Sequence, residues 1–197
     1  GRTSLVILET PGNPTLDLVD IADVVAQAGD VPVLVDNTFA TPVLQRPLEQ
    51  GAQIVVHSGT KFLGGHGDVV AGIVAADERW CRRVRKVRAR TGGILHPLAA
   101  YLLHRGLPTL PLRVEAQQQT TIELVKRLAG SGLVEKLRHP SLPGADPKGL
   151  IGTQMAGPGS LFAFDVPGGF KAASTVMTNL HCMNQAVSLG SVDTLIQ

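Results

Sequence analysis

The sequence is poor in aromatic residues and cysteines, and it has no long apolar run. Aromatic residues make up 4% of the chain, so Val, Leu, Ile and Ala must fill its core. Cys81 and Cys182 lie far apart and match no metal-ligand spacing. They form no disulfide framework, which favours a reducing cytoplasm. No stretch approaches the roughly 18 apolar residues of a membrane helix. The net charge of +2 is too small to indicate a nucleic-acid or membrane partner by itself.

The sequence does contain enough apolar residues for a sizeable core, since 44% of its 197 residues are hydrophobic and 17% are charged. Four apolar runs are predicted to be strands, at 4–8, 31–35, 53–56 and 69–74. These runs do not alternate with polar residues, which is typical of parallel strands covered on both faces. Apolar residues at helical spacing predict a crossover helix over 17–28, and a second, shorter one is predicted over 42–50.

The pattern changes in the second half of the chain. Further helices are predicted at 79–90, 99–104, 115–129 and 171–180, and a further strand at 161–166. A segment rich in Pro and Gly, 140–149, separates the longest of these helices from the strand. We therefore predict two domains, over residues 1–112 and 113–197.

Polar residues directly follow the first three predicted strands. They occupy the segments 9–14, 36–38 and 57–61. Ligands of open α/β sheets bind at the carboxyl ends of the strands, so we expect the three segments to line one crevice.

The residue types in these segments indicate the ligand. Asp36, at the end of a buried strand, needs a cationic partner to stay charged. Lys61 is costly to bury unless it is paired or used, and Ser58 and Thr60 offer hydroxyls to a phosphate. Carboxylate, amine and hydroxyls together match the ring nitrogen, aldehyde and phosphate of pyridoxal phosphate.

Longer motifs extend this match. Segments 9–14, 35–42 and 57–68 read ETPGNP, VDNTFATP and HSGTKFLGGHGD. They closely resemble the Cys/Met-metabolism family of fold-type I pyridoxal enzymes. That family includes methionine γ-lyase, cystathionine γ-lyase, cystathionine γ-synthase, cystathionine β-lyase and the homoserine-ester sulfhydrylases. Segments 105–113 and 188–190 also resemble the family, and all the motifs stand in the family's order.

The resemblance implies an α/β fold, that of fold-type I PLP-dependent transferases. The large domain has a mostly parallel sheet, and part of a smaller α/β C-terminal domain follows it. Lys61 is then the Schiff-base lysine, which also moves protons, and Asp36 pairs with the ring nitrogen. The other implied cofactor contacts are Ser58 and Thr60 at the phosphate, Asn13 near the phenolic oxygen and Thr38 near the ring face. Ser188 and Leu189 are the implied substrate contacts, at the substrate carboxylate.

The implied reaction is elimination or replacement at the β- or γ-carbon of a sulfur amino acid or homoserine ester. The sequence of residues 65–68 resembles methionine γ-lyases and sulfhydrylases more than the synthases. Residues 87–92, however, lack the Lys-Asp pair usual in methionine γ-lyases. We therefore predict γ-elimination on a sulfur amino acid. The alternatives are γ-replacement on an activated homoserine ester, and a non-catalytic, truncated relative.

The resemblance also implies a homotetramer, built from dimers with sites at their interface. In the family, the glycine-rich phosphate loop and the residues lent by a neighbouring subunit lie upstream of Gly1. The arginine that binds the substrate carboxylate lies beyond Gln197. We therefore expect the chain to be part of a longer enzyme.

Three other patterns compete with this interpretation. His57, His66 and Asp68 could bind a metal, but no helical or strand spacing places them on one face. The glycines after Lys61 stand in the wrong order for a nucleotide-binding P-loop. The basic run at 79–90 could follow a nucleic-acid backbone, yet it has no aromatic residue besides Trp80, so a solvated helix face or a subunit contact is favoured.

Overall fold

The main sheet has four strands in the order β1-β2-β3-β4 in the computed structural model, which describes residues 2–197. The strands are β1 (Val6–Glu9), β2 (Val33–Asp36), β3 (Ile54–Ser58) and β4 (Gly72–Ala76). β1, β2 and β3 are parallel neighbours. The first three apolar runs therefore form the parallel strands that the sequence predicted.

The fourth strand differs from the prediction in direction and position. β4 pairs with β3 antiparallel, and it begins at Gly72 rather than Val69. The connection over residues 59–71 contains only one short helical turn, Gly59–Leu63, and returns to the same end of the sheet. A parallel strand would need a crossover to the opposite end, usually through a longer helix.

Six α-helices accompany the strands in the described residues. They are α1 (Ile21–Ala28), α2 (Thr41–Leu44), α3 (Glu78–Thr91), α4 (Pro97–Gly106), α5 (Leu110–Ala129) and α6 (Gly169–Asn179). The single helix predicted over 42–50 is wrong, because the chain is extended at Gln45 and continues as a 3₁₀ turn, Pro47–Gln50. Proline disfavours helical backbone in the residue before it, which explains the break. Among residues 2–197, no helix is long and apolar enough to cross a membrane.

Four short strands lie in the second half. β5 (Lys136–Arg138) pairs antiparallel with β6 (Ala163–Asp165), and β7 (Asn184–Gln185) pairs with β8 (Leu195–Ile196). β6 confirms the strand predicted at 161–166, whereas β5, β7 and β8 are too short to give a sequence pattern. Residue 112 falls in the first turn of α5, and the division into two domains stays a prediction.

The larger hydrophobic cluster includes the buried side chains of the Gly59–Leu63 turn. Phe62 and Leu63 are 2% and 4% exposed there and belong to the same cluster as Leu110 and Val114 of α5. Met155, which is 1% exposed, joins the cluster from the second half of the chain. Burying side chains of this size stabilises the fold by about 1.5–3 kcal/mol each, so Phe62 and Leu63 anchor the turn to the hydrophobic core.

Candidate active site

The three predicted polar segments meet at one edge of the sheet, formed by the carboxyl ends of the parallel strands. β1, β2 and β3 are parallel, and Glu9 lies opposite Asp36, which in turn lies opposite Val56. The carboxyl ends of these strands therefore face the same side, as the sequence predicted. The roles assigned to the individual residues stay predictions.

Asp36 is half-buried at the end of β2, and one of its two carboxylate oxygens is occupied. Its Oδ1 accepts hydrogen bonds from the backbone N–H of Thr38 at 3.0 Å and from the Thr38 hydroxyl at 2.6 Å. No hydrogen bond or ion pair within residues 2–197 engages its Oδ2. A carboxylate in this position favours a cationic N–H donor on its free oxygen.

Thr38 joins two of the strand ends. Its hydroxyl donates to Asp36 and accepts a hydrogen bond of 2.8 Å from the backbone N–H of Ser58. The residue is 6% exposed, so the geometry of this link is protected from water. The hydroxyl therefore positions the Asp36 carboxylate, a role that the sequence did not indicate. Its predicted place near a ring face stays a prediction.

Replacing Thr38 with valine is expected to weaken binding of pyridoxal phosphate by roughly tenfold, because a hydrogen bond to a carboxylate and one to a backbone N–H are both lost. Thr38→Ser retains the hydroxyl and is the matched control. Fluorescence titration of the full-length apoprotein measures both variants. Equal affinities for Thr38→Val and wild type would show that the hydroxyl does not position Asp36.

Lys61 lies in a turn with unusual backbone geometry. Its φ of −90° and ψ of −128° interrupt the π-helical turn Gly59–Leu63. Its Nζ donates to the Ser188 hydroxyl at 3.2 Å, across 127 residues of sequence. No ion pair in the described part of the chain includes Lys61. The amine is therefore held beside the polar crevice by a neutral partner.

The other predicted substrate contact, Leu189, packs against the larger hydrophobic cluster. The neighbouring Gly190 lies so close to the turn Gly59–Leu63, hereafter the lysine turn, that a Cβ added to it would come within 2.6 Å of the Phe62 nitrogen. The segment 188–190 is therefore pressed against the backbone that carries Lys61. The contacts of Ser188 and Leu189 with a substrate carboxylate stay predictions.

The two predicted phosphate ligands differ in their surroundings. The Thr60 hydroxyl accepts a hydrogen bond of 3.1 Å from the backbone N–H of Ala71, which ties the lysine turn to the chain entering β4. The Ser58 hydroxyl has no hydrogen-bond partner within the described residues. Ser58 therefore has the freer hydroxyl for an anion, and Thr60 has a structural bond as well.

Glu9 and Asn13 belong to the segment after β1. Asn13 is exposed, and its backbone N–H donates to Glu9 at 3.4 Å. Partial burial raises the pKa of Glu9, the N–H of Asn13 opposes this, and the neighbouring Asp36 raises it further. Two carboxylates side by side favour a cation at this edge. No individual role was predicted for Glu9 from the sequence, although its position directly after an apolar strand was the signal that could have indicated one.

Buried amides hold the loops behind these strand ends. The Gln45 side chain donates to the Thr10 carbonyl at 2.9 Å and to the Asn37 side chain at 2.8 Å. Gln154 in turn donates to Gln45 at 3.0 Å. Thr10 follows Glu9 and Asn37 follows Asp36, so the network fixes the residues next to both carboxylates. Fully satisfied buried networks of this kind rigidify the structure around them.

His57 is buried in β3, and its Nδ1 has no hydrogen-bond partner among the described residues. Burial lowers the pKa of His57, while the charge of Asp36 and a bond to the backbone of Asn37 act in the opposite direction. His66 is exposed, and its Nδ1 lies 2.7 Å from the Gly64 carbonyl. No cluster of three potential metal ligands occurs in residues 2–197, so no observation supports the metal alternative.

The lowered pKa of His57 predicts a loss of stability in mild acid. The unfolded chain takes up a proton near pH 6.5, and the buried imidazole takes it up only at lower pH. The free energy of unfolding should therefore fall as the pH drops from about 7.5 to about 5.5. His57→Gln should flatten this dependence in urea titrations of the full-length protein. An unchanged slope in His57→Gln would contradict the prediction.

The basic helix α3 lies at the surface, with no buried residue. Arg82 and Arg85 form ion pairs with Glu78, at 3.1 Å and 3.3 Å. Arg79 and Arg83 stack on the Trp80 ring. Part of the basic surface is therefore satisfied within the helix itself.

Comparisons with known proteins add to this geometry. The model for the family described as Cys/Met metabolism PLP-dependent enzyme matches residues 1–197. A relative named L-methionine gamma-lyase, from Brevibacterium sandarakinum, is 55% identical over 99% of this chain and 50% of its own length. The chain thus spans about half the length of the curated relatives that it matches.

Solved structures give the same picture. A structure described as apo methionine gamma lyase, from Micromonospora echinospora, superposes with a TM-score of 0.92 and 39% identity, over 96% of this chain and 52% of that one. A cystathionine gamma synthase structure from Xanthomonas oryzae pv. oryzae has a TM-score of 0.92 and 35% identity, over 96% of this chain and 50% of that one. The α/β fold predicted from the sequence is confirmed.

Proposed function

Because the chain belongs to the family of Cys/Met metabolism PLP-dependent enzymes, we propose that its protein catalyses γ-elimination on a sulfur amino acid. The observation that carries the proposal is the 55% identity to a protein named L-methionine gamma-lyase. The cystathionine gamma synthase structure is less similar, at 35% identity. γ-Replacement on a homoserine ester is therefore the less favoured reaction.

The residues at the sheet edge fit pyridoxal phosphate. Asp36 has one oxygen held by Thr38 and one without a partner in the described residues, which suits a protonated ring nitrogen. Lys61 offers a primary amine whose partner is a neutral hydroxyl, and the Ser58 hydroxyl is available to a phosphate oxygen. We propose Lys61, Asp36, Ser58 and Thr60 as the principal cofactor residues, with Asn13 and Thr38 beside the ring.

When bound, pyridoxal phosphate supplies an aldehyde for the substrate amine and a ring that stabilises negative charge at the substrate α-carbon. Lys61 then acts as the base that removes the α-proton and returns protons at later steps. The Ser188 hydroxyl, 3.2 Å from Nζ, holds the amine in reach of the crevice. Asp36, fixed by Thr38, keeps a negative charge at the ring nitrogen throughout.

We propose that the whole protein is a cytoplasmic homotetramer, built as a dimer of dimers. Family membership supports the assembly, as do the exposed apolar residues Ile7 of β1 and Val70 before β4, which are 68% and 82% exposed. Cys81 and Cys182 are free, which suits a reducing compartment. Light scattering on the full-length protein tests the assembly, and a monomer at micromolar concentration would contradict it.

Product analysis tests the reaction. The full-length protein is incubated with pyridoxal phosphate and with either methionine or cystathionine as the only amino acid. We expect an α-keto acid, ammonia and a thiol in equal amounts. Turnover that requires both an activated homoserine ester and a thiol would establish replacement instead. Absence of turnover with every one of these substrates would favour a non-catalytic relative.

A further inference from the structure

The turn that carries Lys61 is held by the side chain of Arg113, which lies on α5. Nη1 of Arg113 donates to the Phe62 carbonyl at 2.8 Å, and Nη2 donates to the Gly106 carbonyl at 2.9 Å. Its Nε donates to the Thr109 hydroxyl at 3.1 Å. One guanidinium thus bridges the residue after Lys61 to the end of α4.

The backbone around this bridge is packed without spare room. A Cβ added to Gly65, at φ +71°, would overlap the Arg113 guanidinium. A Cβ added to Gly106 would overlap the Gly64 carbonyl. The lysine turn is therefore in close contact with Arg113 and α4 and also with the segment that contains Gly190. Such packing leaves the turn little freedom to shift.

Arg113 has no acidic partner among the described residues. Burial lowers the pKa of its guanidinium, so the position disfavours the charge. The charged guanidinium is stabilised by its hydrogen bonds to carbonyls and by the end of helix α4, where carbonyl groups attract a cation. A planar fork suits the bridging of two separate carbonyls, which the single ammonium of a lysine does less well.

We propose that Arg113 is a positioning residue, which fixes the backbone at Lys61 so that its amine meets the aldehyde of pyridoxal phosphate. The inference rests on the proposed function. Arg113 acts through Phe62 and touches neither the Asp36 nor the Ser58 end of the crevice by hydrogen bonds. Its loss should therefore impair capture of the aldehyde by Lys61 and spare binding of the ring and phosphate, because Ser58 precedes the turn and Thr60 keeps its own hydrogen bond to Ala71.

Two ligands separate these effects in the full-length apoprotein. Pyridoxal phosphate needs the Lys61 amine, whereas pyridoxine 5′-phosphate has an alcohol in place of the aldehyde and uses only the ring and phosphate contacts. Stopped-flow absorbance measures the rate of formation of the visible band with the first ligand. Isothermal titration measures the dissociation constant of the second. The variants are Arg113→Met, Arg113→Lys and, as a matched control, Arg105→Met, since Arg105 is exposed and makes no hydrogen bond to the turn.

We expect Arg113→Met to slow band formation by about tenfold or more, as loss of three hydrogen bonds from a charged group implies, with affinity for pyridoxine 5′-phosphate unchanged. Arg113→Lys should lie between Arg113→Met and wild type, and Arg105→Met should match wild type. Equal losses with both ligands, or no loss with either, would overturn the inference. If the wild type binds neither ligand, the proposed function fails and this inference fails with it.

A pair of glycines gives a second test that leaves Arg113 in place. Gly65 and Gly67 have nearly the same φ, +71° and +69°, so an alanine is similarly strained at both positions, but a Cβ at Gly67 would meet no atom within 4 Å. Gly65→Ala should slow band formation more than Gly67→Ala does, and this difference should vanish in the Arg113→Met background. A difference that persists without the guanidinium would contradict the bridge as its cause.

Discussion

Replacing Lys61 with alanine is expected to remove the visible absorption of bound pyridoxal phosphate and to lower the elimination rate by about 10³-fold or more. The variant loses the amine that bonds to the aldehyde and the base that moves the α-proton. The fold should survive, because within residues 2–197 Lys61 makes one side-chain hydrogen bond, to Ser188, and the neighbouring Phe62 and Leu63 keep their packing. Absorbance and steady-state rates on the full-length protein measure both losses.

Lys86→Ala is the control for this experiment. Lys86 is exposed on α3 and lies outside the segments that line the crevice, so its removal should change neither the spectrum nor the rate. Elimination by Lys61→Ala at more than a tenth of the wild-type rate would contradict the assignment of Lys61 as the proton-transfer group.

Asp36→Asn is expected to lower the elimination rate by about 100-fold, because a preorganised charge at the site is lost. The asparagine oxygen can still accept both hydrogen bonds from Thr38, so the geometry of the loop should be retained. Only the negative charge opposite the ring nitrogen disappears. Steady-state kinetics at saturating cofactor separate this effect from weaker cofactor binding.

Although Asp36→Asn should lower the elimination rate, it should not lower the thermal stability of the apoprotein. Asp36 has no cationic partner in residues 2–197, and it lies opposite Glu9. Removing one of two adjacent carboxylate charges should leave thermal stability unchanged or raise it. Asp165→Asn is a useful contrast, because it breaks an ion pair of 2.7 Å with Arg138 and should lower stability slightly. A stability loss in Asp36→Asn with an unchanged rate would indicate a purely structural carboxylate.

The parallel strands and the polar residues that follow them were predictable from the sequence. Continuous apolar runs marked β1, β2 and β3, and strand ends located Asp36 and Lys61 on one edge. The direction of β4 was not predictable from its residues, because apolar composition is the same in both directions. It depends on the length and path of the connection after Lys61, in which a short turn replaces a crossover helix.

Long-range contacts explain the other differences. Ser188 and Lys61 are 127 residues apart, and Gln154 and Gln45 are 109 apart, so no local pattern joins them. The motif around Arg113 was recognisable, yet its bond to Phe62 depends on how α5 packs beneath the lysine turn. Residue identities indicated the chemistry, whereas tertiary packing determines which groups hold Asp36 and Lys61 in place.

The central claim is that pyridoxal phosphate is held at this sheet edge through the amine of Lys61. Borohydride reduction of the full-length holoenzyme, followed by peptide mass spectrometry, tests it most directly. We predict a reduced phosphopyridoxyl label on the peptide containing Lys61, and its absence when Lys61→Ala is treated in the same way. A label on another lysine, or no label on cofactor-saturated protein, would contradict the account.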